Sequence, residues 1–297
     1  MKPNVTSRLG TLVRVNQRTH SNPNVENISD TALWAATFRA EETARADRLF
    51  DDPFAARLSG ERGKAMAHRM GHSRFRSWGV IMRTVLIDRM IGDALRTGVD
   101  LVLNLGAGLD TRPYRMDLPS ELRWIEADLP NLLDYRSGML SAFQPRCRLE
   151  TISIDLTDKK ARLRMLREIN ASADKILVIT EGVVVYLSNA QAGELADDLH
   201  AHHHIAYWIQ NYVSPLAQAY FQFSCSRKLR NAPVQFAPRD WFGFFGDRGW
   251  KLEEKHTYIA LAESLRRYPQ HPALMRPLFW LTMRMGREPS GCAIFHR

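Results

Sequence analysis

Near residue 100 the period of the chain changes, and that change limits what the chain can fold into. Short apolar runs recur from there, each ending in a polar or glycine-bearing turn: LVLNLGAG, RWIEADL, LETISIDL, KILVITEGVVVYL and HIAYWIQNYV. Runs this short read as strands rather than helices. Helical text separates the later ones, with KKARLRMLREI after the third run and NAQAGELADDLHAH after the fourth. Such alternation demands crossover connections, which join parallel strands and cover both faces of the sheet. An α/β fold with a mostly parallel sheet is therefore expected. Two late runs, WKLEEKHTYI and CAIFHR, are expected to complete the sheet as an edge hairpin, with helical text (ALAESLRRY, ALMRPLFWLTMRM) between them.

Upstream the pattern is helical. TALWAATFRAEETARADRLF reads as a helix with Ser29 or Asp30 as its N-cap. Asp52-Pro53 marks a turn into a second helix, PFAARLSG, closed by Gly60. Val80 to Leu95 reads as an amphipathic helix packing on the sheet. One domain over 1–297 is expected: cap helices over 1–78, a ligand-binding core over 79–213, a Phe- and Arg-rich insert over 214–249 that roofs the sheet edge, and final strands with a helical insertion over 250–297.

Composition removes several function classes. The net charge of +9 comes mostly from arginines scattered along the chain. They form no basic block and no basic–aromatic interleaving, so nucleic acid is not an expected partner. No apolar run approaches the roughly 18 residues of a membrane span, and MKPNVTSRLG lacks the apolar core of a secretory leader. No membrane association is expected, and the cytoplasm is the expected location. Cys147, Cys225 and Cys292 have no C-x-x-C spacing and read as incidental thiols. His202-His203-His204 falls at the amino end of the sheet without supporting ligand spacing, so no metal is expected.

In open α/β sheets ligands bind at the carboxyl ends of the strands, and four turns there are chemically loaded. Gly106-Ala107-Gly108 brings backbone close to a ligand. A dinucleotide fingerprint would continue to a third small residue, but here Thr111 and Pro113 follow. Asp110 adds negative charge where phosphates would lie. Both features favour a nucleoside without phosphate, such as S-adenosylmethionine. Glu126 and Asp128 are both candidates to accept ribose hydroxyls, about 20 residues past the glycines. Asp155 is a candidate for an adenine amino group, with Leu156 against the ring, or else a cap for the next helix. Glu181 would face a ligand ammonium group.

LNLGAGLDTRPYR, EADLP, IDLTD and TEGVVVYL together resemble the leucine carboxyl methyltransferase superfamily, and in particular its bacterial S-adenosylmethionine-dependent branch related to polyketide carboxyl O-methyltransferases. The resemblance runs from about Thr31 to about Leu199. It implies a class I methyltransferase fold: a Rossmann-like, seven-stranded, mostly parallel sheet with an N-terminal helical cap. It also implies S-adenosyl-L-methionine as cofactor. Arg83 matches the family arginine for the methionine carboxylate, Gly106 the glycine contact, Asp128 the ribose acid in preference to Glu126, Asp155 and Leu156 the adenine contacts, and Glu181 the acid at the amino end. The branch often shows R-T-R where this chain has Arg83-Thr84-Val85.

Methyl transfer from a sulfonium is an in-line displacement in which alignment and desolvation dominate. A carboxylate acceptor is ionised at neutral pH, whereas a hydroxyl usually needs a base, and no histidine pairs with an acid in these turns. The expected reaction is O-methylation of a small-molecule acid such as a polyketide-like secondary metabolite. The alternatives are a hydroxyl acceptor or a non-catalytic cofactor-binding scaffold. Arg39, Arg45 or Arg76 would receive an acidic substrate by paired hydrogen bonds. Trp34, Phe38, Tyr186, Tyr207 and Tyr212 are candidates for its apolar pocket, and His20 and His72 would reach the site only if the N-terminal segment folds over it.

Overall fold

Seven strands form one sheet in the order β3-β2-β1-β4-β5-β7-β6. They are β1 Leu101–Leu105, β2 Arg123–Asp128, β3 Arg148–Ser153, β4 Ile176–Thr180, β5 Ile205–Val213, β6 Lys251–Thr257 and β7 Ser290–His296. The computed structural model describes residues 28–69, 74–213, 218, 234–268 and 290–297. His20, His72, Cys225, most of the 214–249 insert, the ALMRPLFWLTMRM text and the side chain of Arg76 lie outside the described residues. The strands from β3 across to β5 are parallel. β7 runs antiparallel to both β5 and β6, so the late pair forms as expected, with the last strand on its inner side.

Burial on both faces explains the uniform apolar runs of β1 and β4, whereas the edge strands β3 and β6 are largely exposed. Leu101, Leu103 and Leu105 of β1 and Ile176 and Val178 of β4 point into one core. That core is closed by α6 (Lys159–Asn170), α7 (Asn189–His200) and α8 (Trp241–Gly246). Val102, Leu177 and Ile179 point into the other, closed by α3 (Arg74–Arg96) and α9 (Tyr258–Ser264). α1 (Ile28–Thr43), α2 (Ala55–Arg69) and α5 (Pro130–Leu140) share a smaller apolar cluster beside the sheet through Ala36, Leu58, Leu132 and Leu140. Among the described residues no helix is long and apolar enough to cross a membrane.

Three element boundaries differ from the sequence pattern. The first helix starts at Ile28, upstream of the expected cap, and stops at Thr43 rather than near Phe50. There the chain folds back: Leu49 N donates to Glu42 at 2.8 Å and Asp52 N to Thr43 Oγ1 at 2.8 Å, ending the helix despite alanine-rich text. Gly60 does break its helix, at φ 54° and ψ −169°, but helical backbone resumes beyond it to Arg69. In KILVITEGVVVYL only Ile176–Thr180 is strand. Gly182, at φ +68°, turns the chain into a single 3-10 turn over Val184–Tyr186, and its N–H donates to Asn211 Oδ1 at 2.7 Å.

Candidate functional site

Because β3, β2, β1 and β4 are sheet neighbours, the turns that follow them lie side by side along one edge. Asp155, Asp128, the Gly106–Gly108 turn and Glu181 all stand on that edge. The geometry of the glycine turn is severe. Gly106 has φ +66°, and a Cβ there would lie 2.4 Å from Val183 Cγ2. Both facts restrict the position to glycine. Its N–H donates to Ala127 O at 2.7 Å, tying the turn to the end of β2. Ala107 is buried, and Gly108 also has positive φ, at +55°.

Asp128 closes the turn from the neighbouring strand. Gly108 N donates to its Oδ2 at 2.6 Å and Leu129 N to its Oδ1 at 2.7 Å. Burial raises its pKa, against the lowering effect of those two N–H donors. Each oxygen keeps a lone pair for a further donor. Glu126 is different. It is fully buried and ion-paired to Arg136 of α5, and burial lifts its carboxyl to about 7 even so. The structure thus separates the two acids: Glu126 is internal, and Asp128 lines the turn.

Asp155 is exposed and accepts from Thr157 N at 2.8 Å and Thr157 Oγ1 at 2.7 Å. The capping role belongs instead to Asp158, which accepts from Lys160 N and Ala161 N at the start of α6. Leu156 packs against the core beside α6.

Glu181 sits between two arginines. Arg83 Nε of α3 lies 2.8 Å from Glu181 Oε1, and Arg112 Nη1 lies 2.8 Å from Oε2. Burial alone would raise this carboxyl, but Arg112 and then Arg83 hold it down at about 2. Arg112 belongs to α4 (Arg112–Arg115) and also donates to Asp88 Oδ1 at 2.7 Å and Asp110 Oδ2 at 2.8 Å. Arg115 grips Asp88 through two bonds, at 2.7 and 2.8 Å. Asp110 is further held by Asn104 Nδ2 at 2.8 Å. Its charge is therefore matched inside the protein and is not presented to a ligand, contrary to the role its position suggested.

The residues expected to meet the acceptor divide into groups. Trp34 and Phe38 of α1 stack edge to face at 5.1 Å, and Tyr186 packs against the same cluster. The Trp34 indole nitrogen is buried and has no hydrogen-bond partner among the described residues. Arg39 is held inward: its Nε donates to Asp52 at 2.8 Å and its Nη2 to Leu109 O at 2.6 Å. Arg45 pairs with exposed Asp47. Tyr212 is buried in β5 against Phe242 and the backbone of Gly291, away from the α1 cluster. Tyr207 lies at the opposite end of β5, under the Lys175 ammonium. His202 and His204 bond backbone carbonyls of Asp198 and Asn170, and among the described residues no group of side chains could hold a metal ion.

Asp88, Asn104, Arg112 and Arg115 were not singled out by sequence reasoning, and Asp52 was read only as a turn residue. The one local signal was a charged cluster around Pro113, Asp110 through Arg115, which nothing in strand periodicity explains. As a cofactor site the edge has a coherent donor set. Arg83 and Glu181 put opposite charges side by side, which complements the carboxylate and ammonium of an α-amino acid. Arg83 Nε, though 2.8 Å from Glu181, is out of hydrogen-bond alignment with it, so the pair retains bonding capacity.

Comparison with known proteins adds a lineage. The model of a family described as leucine carboxyl methyltransferase matches residues 32–200. A protein from Parafrankia sp., provisionally named an S-adenosyl-L-methionine-dependent methyltransferase, is 33% identical over 182 residues, covering 58% of each chain. A Mycobacterium bovis protein with the same provisional name is 29% identical over 271 residues, 81% of each chain. The chain thus spans under two thirds of the length of the first of these relatives. Among solved structures, a provisionally assigned methyltransferase from Thermobifida fusca superposes with a TM-score of 0.55 at 16% identity, over 82% of this chain and 92% of that one. A DUF574 family protein from Streptomyces avermitilis does so with a TM-score of 0.52 at 15% identity, over 89% and 97%. At these identities the likeness concerns the fold, an α/β sheet of the methyltransferase type.

Proposed function

The chain belongs to the leucine carboxyl methyltransferase family, and from that premise we propose that it transfers a methyl group from S-adenosylmethionine to a carboxylate oxygen of a small acid. One observation carries the reading: the glycine turn, Asp128, Asp155 and Glu181 stand on adjacent strand ends, with Arg83 beside Glu181. S-adenosylmethionine, when bound, supplies a methyl group already activated on a sulfonium. The chain's own residues bind and orient. Arg83 takes the methionine carboxylate and Glu181, held ionised, takes the ammonium. Asp128 accepts from the ribose hydroxyls with the lone pairs that Gly108 and Leu129 leave free. Asp155 accepts from the adenine amino group, and Leu156 packs near the ring.

A carboxylate attacks without prior deprotonation, so no general base is assigned. None of the four turns contains a histidine. Trp34, Phe38 and Tyr186 form the apolar wall of the acceptor side, with the unbonded indole N–H of Trp34 as a donor to an acceptor oxygen. On this reading the acceptor is a polyketide-like secondary-metabolite acid and the setting is the cytoplasm.

The test is incubation of the protein with methyl-labelled S-adenosylmethionine and a library of small acids, followed by base treatment of the product. A methyl ester releases its label in base. A base-stable product would assign the transfer to a hydroxyl and overturn the carboxyl reading. In parallel, Asp128→Asn should weaken S-adenosylhomocysteine binding by about 1–3 kcal/mol, the worth of hydrogen bonds to a charged acceptor. Unaltered affinity would remove Asp128 from the ribose site.

A further inference from the structure

Arg112 is only 3% exposed, yet it reaches carboxylates from three separate elements: Asp88 in α3, Asp110 after β1 and Glu181 after β4. The surrounding charges balance. Arg39 and Asp52 pair with each other, Arg112 and Arg115 with Asp88 and Asp110, and Arg83 with Glu181. Asp88 and Asp110 already neutralise Arg112 and Arg115, so the third contact of Arg112, to Glu181, is not needed to neutralise buried charge. It does something else. An incoming amino-acid carboxylate competes with Glu181 for Arg83. Without a second cation, Glu181 would lose its partner at the moment it must meet the ammonium.

We propose that Arg112 is a positioning residue for the amino-acid end of the cofactor: it holds Glu181 through Oε2, so that Arg83 is released to the ligand carboxylate and Glu181 stays fixed for the ammonium. The proposal rests on the methyltransferase reading above. The network is neutral, and the ligand portion it faces is a zwitterion, so binding adds no net charge to a desolvated site. That makes the arrangement selective for an α-amino acid over a bare acid or a bare amine.

The experiment is calorimetric titration of the full chain with two ligands, S-adenosylhomocysteine and 5′-methylthioadenosine. Both carry the nucleoside, but only the first carries the amino-acid end. Arg112→Gln should lower S-adenosylhomocysteine affinity on the order of 10–100-fold, the usual weight of a charge-assisted contact. It should leave 5′-methylthioadenosine affinity within about twofold, inside the tolerance of a lost remote contact. It should also shift the acid limb: affinity for S-adenosylhomocysteine falls at a higher pH in the variant than in the wild type as Glu181, now short of one cation, takes up a proton more readily. If Arg112→Gln does not fold, Arg112→Lys serves instead. It keeps a cation but offers a single ammonium that cannot span Asp88 and Glu181 together, so it should lower S-adenosylhomocysteine affinity alone. Equal losses for both ligands, or a wild-type affinity and wild-type pH profile in both variants, would overturn the proposal. Failure of the wild type to bind either ligand would overturn the cofactor reading itself, and the proposal with it.

Discussion

Gly106→Ala tests the turn on which the site is built. The substitution meets two separate obstacles. At φ +66° an L-residue with a Cβ pays roughly 1–2 kcal/mol for the left-handed backbone. The new methyl would also sit 2.4 Å from Val183 Cγ2, well inside contact distance, and such overpacking costs about 1–3 kcal/mol. Together these predict a loss of about 2–5 kcal/mol, large against the about 5–15 kcal/mol that holds a domain folded. Urea denaturation followed by tryptophan fluorescence measures it. The same substitution in a Val183→Ala background separates the two parts. With the valine γ-carbons gone, the remaining obstacle is the backbone, and the penalty should fall to about 1–2 kcal/mol. A loss under about 0.5 kcal/mol in the wild-type background, or the same loss in both backgrounds, would refute the reasoning.

Two further tests concern Glu126 and Trp34. The Glu126 carboxyl is raised from 4.5 to about 7 by burial, so the folded protein retains its proton where the unfolded chain has lost it. Its contribution to stability is therefore complete below about pH 4.5 and disappears as pH rises to about 7. Glu126→Gln is neutral at every pH, so wild-type stability relative to this variant should decline across that window and level off above it. Urea midpoints at several pH values report this, and a rising difference would mean that Arg136 keeps Glu126 ionised in the folded state. Trp34→Phe removes the unbonded indole N–H and keeps an aromatic ring. It should raise KM for the acid acceptor and leave KM for S-adenosylmethionine unchanged; no change in either would exclude the indole from the acceptor pocket.

The fold class was legible because its evidence is local. Strand runs, glycine turns and the helical text between them can each be read from a few consecutive residues. The positions of Asp128, Asp155 and Glu181 were legible for the same reason, since each follows an apolar run. Element ends set by distant partners were not. Alanine-rich text after Thr43 favours helix, but bonds from the backbone of Leu49 and Asp52 end it. The arginines were harder still. Arg39 has the chemistry of a substrate clamp, and only the fold reveals its internal partners, Asp52 and Leu109 O. Asp110 has the charge to repel a phosphate, but Arg112 and Asn104 face it from within. Charge pairing across a fold leaves no periodic trace in the sequence.

The sheet order carries a consequence for how the molecule is made. β7 is the last of the described strands in the chain, yet it lies inside the sheet, with β5 on one side and β6 on the other. During synthesis β1 through β5 can pair as they emerge, but β6 has no neighbour until residues 290–296 have left the ribosome. Until then β5 presents an open, apolar edge through Trp208 and Ile209, the kind of template that recruits foreign strands. Nascent chains stalled before residue 290 should therefore expose a sticky half-sheet. The cell's exposure to aggregation from this protein then grows with the time taken to translate the stretch between β5 and β7.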